Sequence, residues 1–284
     1  QPAIIFPCHG ERVCGDKMKT TLISPPANLP ITLSEAKDHL RIESTFTDDD
    51  AYIRSLIHMA TLQAENITRR KLVTQTWKAF YDEWPRRWEL PYGQLQSITH
   101  IKYTGSDDVV NTDFNEGDEW TADTDSDPGR IVLKYGETYP GDSLAEQNPI
   151  ECQFVCGYGT HASQVITAAS NAAPIVVTIA GHGYTGGEEV SIDSVVGNTA
   201  ANGRWYLTYV DADNFSLNGS AGNAAYTSGG ACTIITVPEP IRHAIKIMVS
   251  DSYENREEIV IGTITSTIKD TIINLLWSFR LFGF

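Results

Sequence analysis

Helical periodicity is confined to the two ends of this 284-residue chain. Near the start, Ile53, Leu56, Ile57, Ala60, Ala64 and Ile67 recur at a 3.6-residue period. Asp48, Asp49 and Asp50 open that segment and Thr68-Arg69-Arg70-Lys71 closes it, the charge order a helix dipole favours. A shorter helix over about 32–42 precedes it, announced by the capping-box pair Thr32 and Glu35. The period then vanishes until Val237-Pro238-Glu239-Pro240, where Ile241, Ile245, Met248, Val249 and Tyr253 restore it. A final helix over about 265–279 turns Ile268, Ile272, Leu275, Leu276 and Phe279 inward.

The middle of the chain reads as β structure. Trp77, Phe80, Tyr81, Trp84 and Trp88 cluster before a proline-marked turn, and Ile98–Tyr103, Arg130–Tyr135 and Ile150–Cys156 follow as strands separated by Gly/Asp/Asn loops. This predicts a small antiparallel unit over about 73–160. Residues 164–236 change composition: they are rich in Gly, Ala, Ser, Thr and Asn, and Arg204 is their single base. Ile175–Ile179, Glu189–Ile192, Arg204–Val210, Asn214–Leu217 and Cys232–Thr236 are the expected strands of a separate all-β module. The fold class is therefore α+β: a helical bundle with a small antiparallel β unit, plus an inserted all-β module. The expected division is 18–163 with 237–284 as the host domain and 164–236 as the insertion, with 1–17 an upstream extension.

Charge narrows the function. The net charge is −15, but it is local: residues 105–151 hold 13 acids against Arg130 and Lys134, while 18–104 is close to neutral. Phosphate-gripping surfaces need clustered Lys and Arg, and anionic membranes need the same, so both are poor partners. No run approaches the roughly 20 apolar residues of a membrane span, and the first residues lack a signal-peptide pattern. Five scattered cysteines, Cys8, Cys14, Cys152, Cys156 and Cys232, form no disulfide framework and read as small core residues of a reducing compartment.

No catalytic motif stands out. Asp123-Thr124-Asp125-Ser126-Asp127 begins like a calcium loop, but Pro128 replaces the required glycine and Lys134 the bidentate Glu. The histidines show no ligand spacing, and no GxSxG, P-loop or dinucleotide fingerprint is present. No metal, no cofactor and no enzymatic role are expected. The one unusual element is the chain end, where Trp277, Phe279, Leu281, Phe282 and Phe284 crowd around Arg280. Such an end is either core or a docking element.

ITLSEAKDHLRIE (31–43), DDDAYIRSLIHMATLQAENITRRKL (48–72), QTWKAFYDEWP (75–85), LPYGQLQSITHIKY (90–103), VCGYG (155–159), VPEPIRHAIKIMVSDSYENRE (237–257) and LLWSFRLF (275–282) follow in order. Together they resemble the tailed-phage head-tail connector (head-completion adaptor) family. The resemblance covers about 18–160 and 237–284. Residues 164–236 look like a β module of phage structural proteins that is named after a half-domain of ubiquitin-activating enzymes; it implies no activation chemistry.

The resemblance implies a virion structural protein in the neck, assembled in the host cytoplasm. It implies a dodecameric ring of this chain beneath the portal, which extends the DNA channel and offers a platform to a downstream neck or tail protein. It also implies that the C-terminal segment reaches the portal, which maps onto Ile268, Ile272, Leu276, Trp277, Phe279, Arg280, Leu281, Phe282 and Phe284. DNA would pass without specific binding. Asp107, Asp108, Asp113, Glu116, Asp118, Glu119, Asp123, Asp125 and Asp127 are the candidate channel-facing acids, repelling phosphate within a Debye length of about 8 Å. The competing expectation is a tail or baseplate protein whose β module binds a host surface glycan through Trp205 and Tyr206.

Overall fold

The computed structural model describes residues 18–141, 143–159, 163–255 and 265–282. The expected extension 1–17, with Cys8 and Cys14, lies outside the described residues.

The helices form as their sequences dictate. α1 (Leu33–Leu40) starts at a complete capping box: Glu35 N–H donates to Thr32 Oγ1 at 3.2 Å, and Thr32 N–H donates to Glu35 Oε2 at 2.9 Å. α2 (Asp50–Thr68) buries the predicted stripe Ile53, Leu56, Ile57, Ala60 and Ala64. Its leading acids act by tertiary contact as well as through the dipole. Asp50 pairs with the buried Lys37 at 2.5 Å, and Asp49 accepts a hydrogen bond from Tyr253 at 2.5 Å. Its trailing cations differ from expectation: the helix stops at Thr68, Arg69 takes a left-handed cap conformation, and Arg70 and Lys71 turn inward.

α3 (Glu239–Glu254) starts with proline at its first turn and lays Ile241, Ala244, Ile245, Met248 and Val249 against α2. α4 (Thr265–Trp277) packs on α2 and α3 through Ile272 and Leu276. The distant helical segments thus share one apolar core, with Leu276 fully buried in it.

Among the described residues the strands make three sheets, and all of them except β1 lie between α2 and α3. β1 (Lys19–Ser24), an unforeseen strand, forms one edge of a five-stranded antiparallel sheet. It pairs with β2 (Gln75–Tyr81), then β8 (Ile150–Cys156), β4 (Leu95–Thr104) and β5 (Val110–Asn111) at the opposite edge. β3 (Trp88–Glu89), β7 (Arg130–Leu133) and β6 (Trp120–Asp123) form a small second sheet. An aromatic core lies under these strands: Trp84 stacks on Tyr139 with centroids 5.0 Å apart and meets Trp88, Tyr103 and Phe114 edge-on. Cys152 and Cys156 are buried in this unit, and burial pushes both thiols up, Cys156 to about 12.

The third sheet holds seven strands: β9 (Ser163–Val165), β10 (Ala168–Ala169), β11 (Val176–Thr178), β12 (Glu189–Val196), β13 (Gly203–Tyr209), β14 (Asn214–Leu217) and β15 (Ser228–Ile234). Ile175, Val177, Val190, Ile192, Leu207, Phe215 and Cys232 form its own core. Its first strand, β9, pairs with its last, β15, so the chain enters and leaves at one edge. That placement lets a complete sheet sit within a connection of the helical unit.

Leu276→Ala removes a fully buried side chain at the meeting of three helices. It should lower the unfolding free energy by roughly 2–5 kcal/mol, read by urea denaturation.

Candidate assembly surfaces

Three features stand apart from ordinary packing: a latched C-terminal segment, an acidic loop region and an ion network where the β module meets the helices.

The latch is built on Arg70, one residue beyond the left-handed cap of α2. Its side chain is largely buried. Nη1 donates to Asp127 Oδ1 at 3.0 Å, Nη2 pairs with Asp127 Oδ2, and Nε donates to the Phe279 carbonyl. A fork donor matched to a carboxylate fixes direction as well as distance. The Leu281 N–H donates to the Thr68 carbonyl at 2.9 Å, continuing from the helix end into the C-terminal segment. Gly93 gives this crossing its room: its φ is +51°, and a Cβ there would come within 3 Å of Arg70 Nη1 and Leu281 Cδ1.

The latch divides the segment expected to dock. Ile272, Leu276 and Leu281 are buried in the protein's own core, and Phe279 is half-buried beside them. Trp277 and Phe282 are 50% and 64% exposed, with ring centroids 5.8 Å apart, and the Arg280 guanidinium lies 5.2 Å over the Trp277 ring. The available surface is thus an aromatic knob. The Ile268 side chain and Phe284 lie outside the described residues.

The nine candidate channel acids also divide. Asp127 holds the latch, and Asp123 pairs with Arg130, whose hydrogen bonds, together with the Ser126 N–H, hold the Asp123 carboxyl below the usual range. Asp107 accepts from the Val109 N–H, Asp113 from the Tyr103 hydroxyl, Glu116 from the Ala122 N–H and Glu119 from the Asn115 N–H. Asp108, Asp118 and Asp125 are exposed. Among the described residues, no Lys or Arg ion-pairs with any of these last seven. No cluster able to hold a metal occurs among the described residues.

The third feature could have been found from composition. Arg204, the module's single base, bonds Glu189 at 2.6 Å and Glu239 at 2.9 Å, with Glu35 at 3.7 Å. Arg242, 1% exposed, donates to the Pro30 carbonyl at 3.0 Å and pairs with Glu35 and Glu239. Nearby, Asp193 on β12 hydrogen-bonds Ser34. Burial pushes its carboxyl up, and Glu35 and Asp38 add to the shift. Trp205, a candidate glycan platform, instead donates its indole N–H to the Ala201 carbonyl at 2.9 Å; Tyr206 is exposed. His182 is buried, accepting from the Tyr184 N–H at Nδ1 and bonding the Asp211 carbonyl through Nε2.

Residues 30–110 match the family of phage gp6-like head-tail connector proteins, which is less than half of the chain. No curated protein matches. Among solved structures, the chain is similar to one from the neck of an empty gene transfer agent particle computed with C6 symmetry. Identity is 12%, the TM-score is 0.55, and 94% of this chain and 97% of that one are covered. A chain of the native gene transfer agent virion gives 12% identity and a TM-score of 0.54, covering 93% and 96%. One from the native neck computed with C12 symmetry gives 13% and 0.51, covering 94% and 96%. At such identities the likeness is one of fold. Residues 164–236 are about a quarter of the chain, so alignments this complete run through the β module as well as the helices.

Arg70→Met should leave Asp127 and the Phe279 carbonyl unpaired. The expected result is destabilisation of about 2 kcal/mol, discounted for the partial exposure of Asp127, and faster proteolysis after α4. Asp193→Asn tests the module junction. A carboxyl raised in the folded state binds its proton more tightly there, so stability falls as pH rises from the unfolded carboxylate value through the folded one. The variant should therefore melt higher than the parent at pH 7, with the gap closing in acid.

Proposed function

We propose that this chain is a structural protein of a phage-type neck: an adaptor that forms a ring beneath the portal, carries the DNA channel onward and supports the next neck or tail component. One observation carries the reading. The connector-family match and the near-complete fold likeness to neck proteins fall on the same chain, by independent routes.

In this reading the helical unit is the ring-forming body. Trp277 and Phe282, with Arg280 between them, form the portal-facing knob, since large aromatics beside Arg favour interface cores. The exposed acids between Asp107 and Asp125 tune the ring's contact with its surroundings, including passing DNA. A repulsive wall costs translocation little, whereas a cationic wall would hold the duplex. The β module decorates the neck or contacts a neighbour.

The structure chooses the variant for the test. Truncation from Trp277 would remove the buried Leu281 with its backbone bond and confound folding with docking. Trp277→Ser with Phe282→Ser changes exposed rings only. The double variant should keep the parent's melting temperature and fail to attach to portal-containing heads in an in vitro joining assay; undiminished joining would refute the docking role. Immunogold labelling of purified virions checks the location: label at the neck supports the adaptor, and label at the tail tip supports a glycan-binding tail protein.

A further inference from the structure

The seven-stranded sheet and the helices keep separate cores. Among the described residues, the side chains packed around Val190, Ile192, Leu207 and Phe215 all belong to the β module, and those packed around Ile57, Ala244 and Ile245 all lie outside it. What joins the two is polar. Arg204 on β13, held by Glu189 of the same sheet at 2.6 Å, reaches Glu239 at 2.9 Å and Glu35 at 3.7 Å, and Asp193 on β12 hydrogen-bonds Ser34. Beside these contacts lies a cavity of about 530 Å³, with Ser34, Lys37 and Arg54 on the helical side and Asp193, Ser194 and Asn202 on the other. A joint built this way gains little from the hydrophobic effect, and most of its attraction comes from one guanidinium that solvent reaches.

Parting this joint strands no charge. Glu239 keeps Arg242 and Lys246, Glu35 keeps Arg242 and its capping bond from Thr32, and Arg204 keeps Glu189. The module's own ladder survives too, because β9 and β15, which lead into and out of the sheet, pair with each other. We propose that the joint is an electrostatic lock: the seven-stranded sheet detaches from the helices as an intact unit when Arg204 leaves Glu239 and Glu35. Salt screens Arg204 and weakens the lock. The pH acts through Asp193. It is surrounded by Ser34, Glu35 and Asp38 of α1, by Lys37 with its partner Asp50, by Arg54 of α2, by Glu239 and Arg242 of α3, and by Glu189 and Arg204 of its own sheet. Burial pushes the Asp193 carboxyl up, and Glu35 and Asp38 add to the shift. Ionising it therefore costs more with the sheet seated than released, so seating weakens as pH rises from the ordinary carboxylate range through the raised value. Burial works the same way on Glu239, but its Arg204 hydrogen bond, with Lys246 and Arg242, holds that carboxyl below the usual range, so the attractive pair survives mild acid. The lock is tightest in mild acid at low salt. It goes beyond the neck reading and needs only a single copy of the chain.

Hydroxyl-radical footprinting of the full chain reads the joint through Leu33, which borders the cavity, with Ile57 and Phe215 as markers of the two cores. In wild type, Leu33 oxidation should rise several-fold with added salt, and again as the pH goes from mildly acid to mildly alkaline, while Ile57 and Phe215 stay protected. Arg204→Met should label Leu33 heavily even at low salt, and protected core markers in the same sample establish that the variant folds. Should the variant expose those markers, the wild-type salt series alone decides. Asp193→Asn should keep the salt response and lose the pH response. Leu33 labelling that ignores salt, or that rises only together with Ile57 and Phe215, overturns the lock, as does a folded Arg204→Met chain that labels like wild type. A pH response that survives Asp193→Asn overturns the part given to Asp193.

Discussion

A guanidinium with almost no access to solvent, Arg242, is the constraint on which the assembly of elements depends. Burying a lone cation is expensive, and it is tolerated here because every direction of the fork meets an acceptor. Those acceptors come from three places: the Pro30 carbonyl before α1, Glu35 inside α1, and Glu239 at the start of α3. Glu35 is also the capping-box partner of Thr32, so the same carboxylate that starts α1 fixes where α3 begins. Arg204, held by Glu189 within the β module, reaches Glu239 and, at longer range, Glu35 on the helices. One charge network thus sets the entry to the bundle, the return of the chain after the sheets, and the place where the seven-stranded sheet meets the helices.

Much of the fold was legible because it rests on periodicity. The stripe from Ile53 to Ala64, the run from Ile241 to Val249 and the capping box at Thr32 each express a local rule, and each appears as expected. The strands Ile150–Cys156 and Asn214–Leu217 match their expected limits for the same reason. β1 escaped notice because its residues, Lys19 to Ser24, are mostly exposed and show no alternation. The latch is not legible for a different reason. Arg69-Arg70-Lys71 looks like charge placed for the helix dipole, and nothing local shows that Arg70 meets Asp127 and Phe279, which are distant in sequence. Arg204 is the intermediate case: a lone base in an acidic module had to find partners, although their identity required the fold.

The acidity has a similar split character. Read as composition, it is one block between residues 105 and 151. Read as structure, part of it is committed: Asp123 to Arg130, Asp127 to Arg70 and Glu151 to Lys78 and His100. Among the described residues, the acids without an ion pair lie around β5 and before β6 (Asp107, Asp108, Asp113, Glu116, Asp118 and Glu119), after β6 (Asp125) and between β7 and β8 (Glu137 and Glu146). Localised like charge costs self-repulsion, a cost the fold could avoid by scattering the acids among lysines.

The C-terminal segment sets exposed rings and core side chains within the same few residues. An aromatic tail left free would have to lose conformational entropy on binding, which subtracts from affinity. Here Leu281 is buried, its N–H is tied to Thr68, and Arg70 grips the Phe279 carbonyl. Those attachments lie on either side of Arg280 and hold Trp277 and Phe282 within ring contact of each other. The ordering cost is met during folding by the buried half of the segment. The exposed half is then presented as a rigid surface, and its rings gain burial only when something covers them.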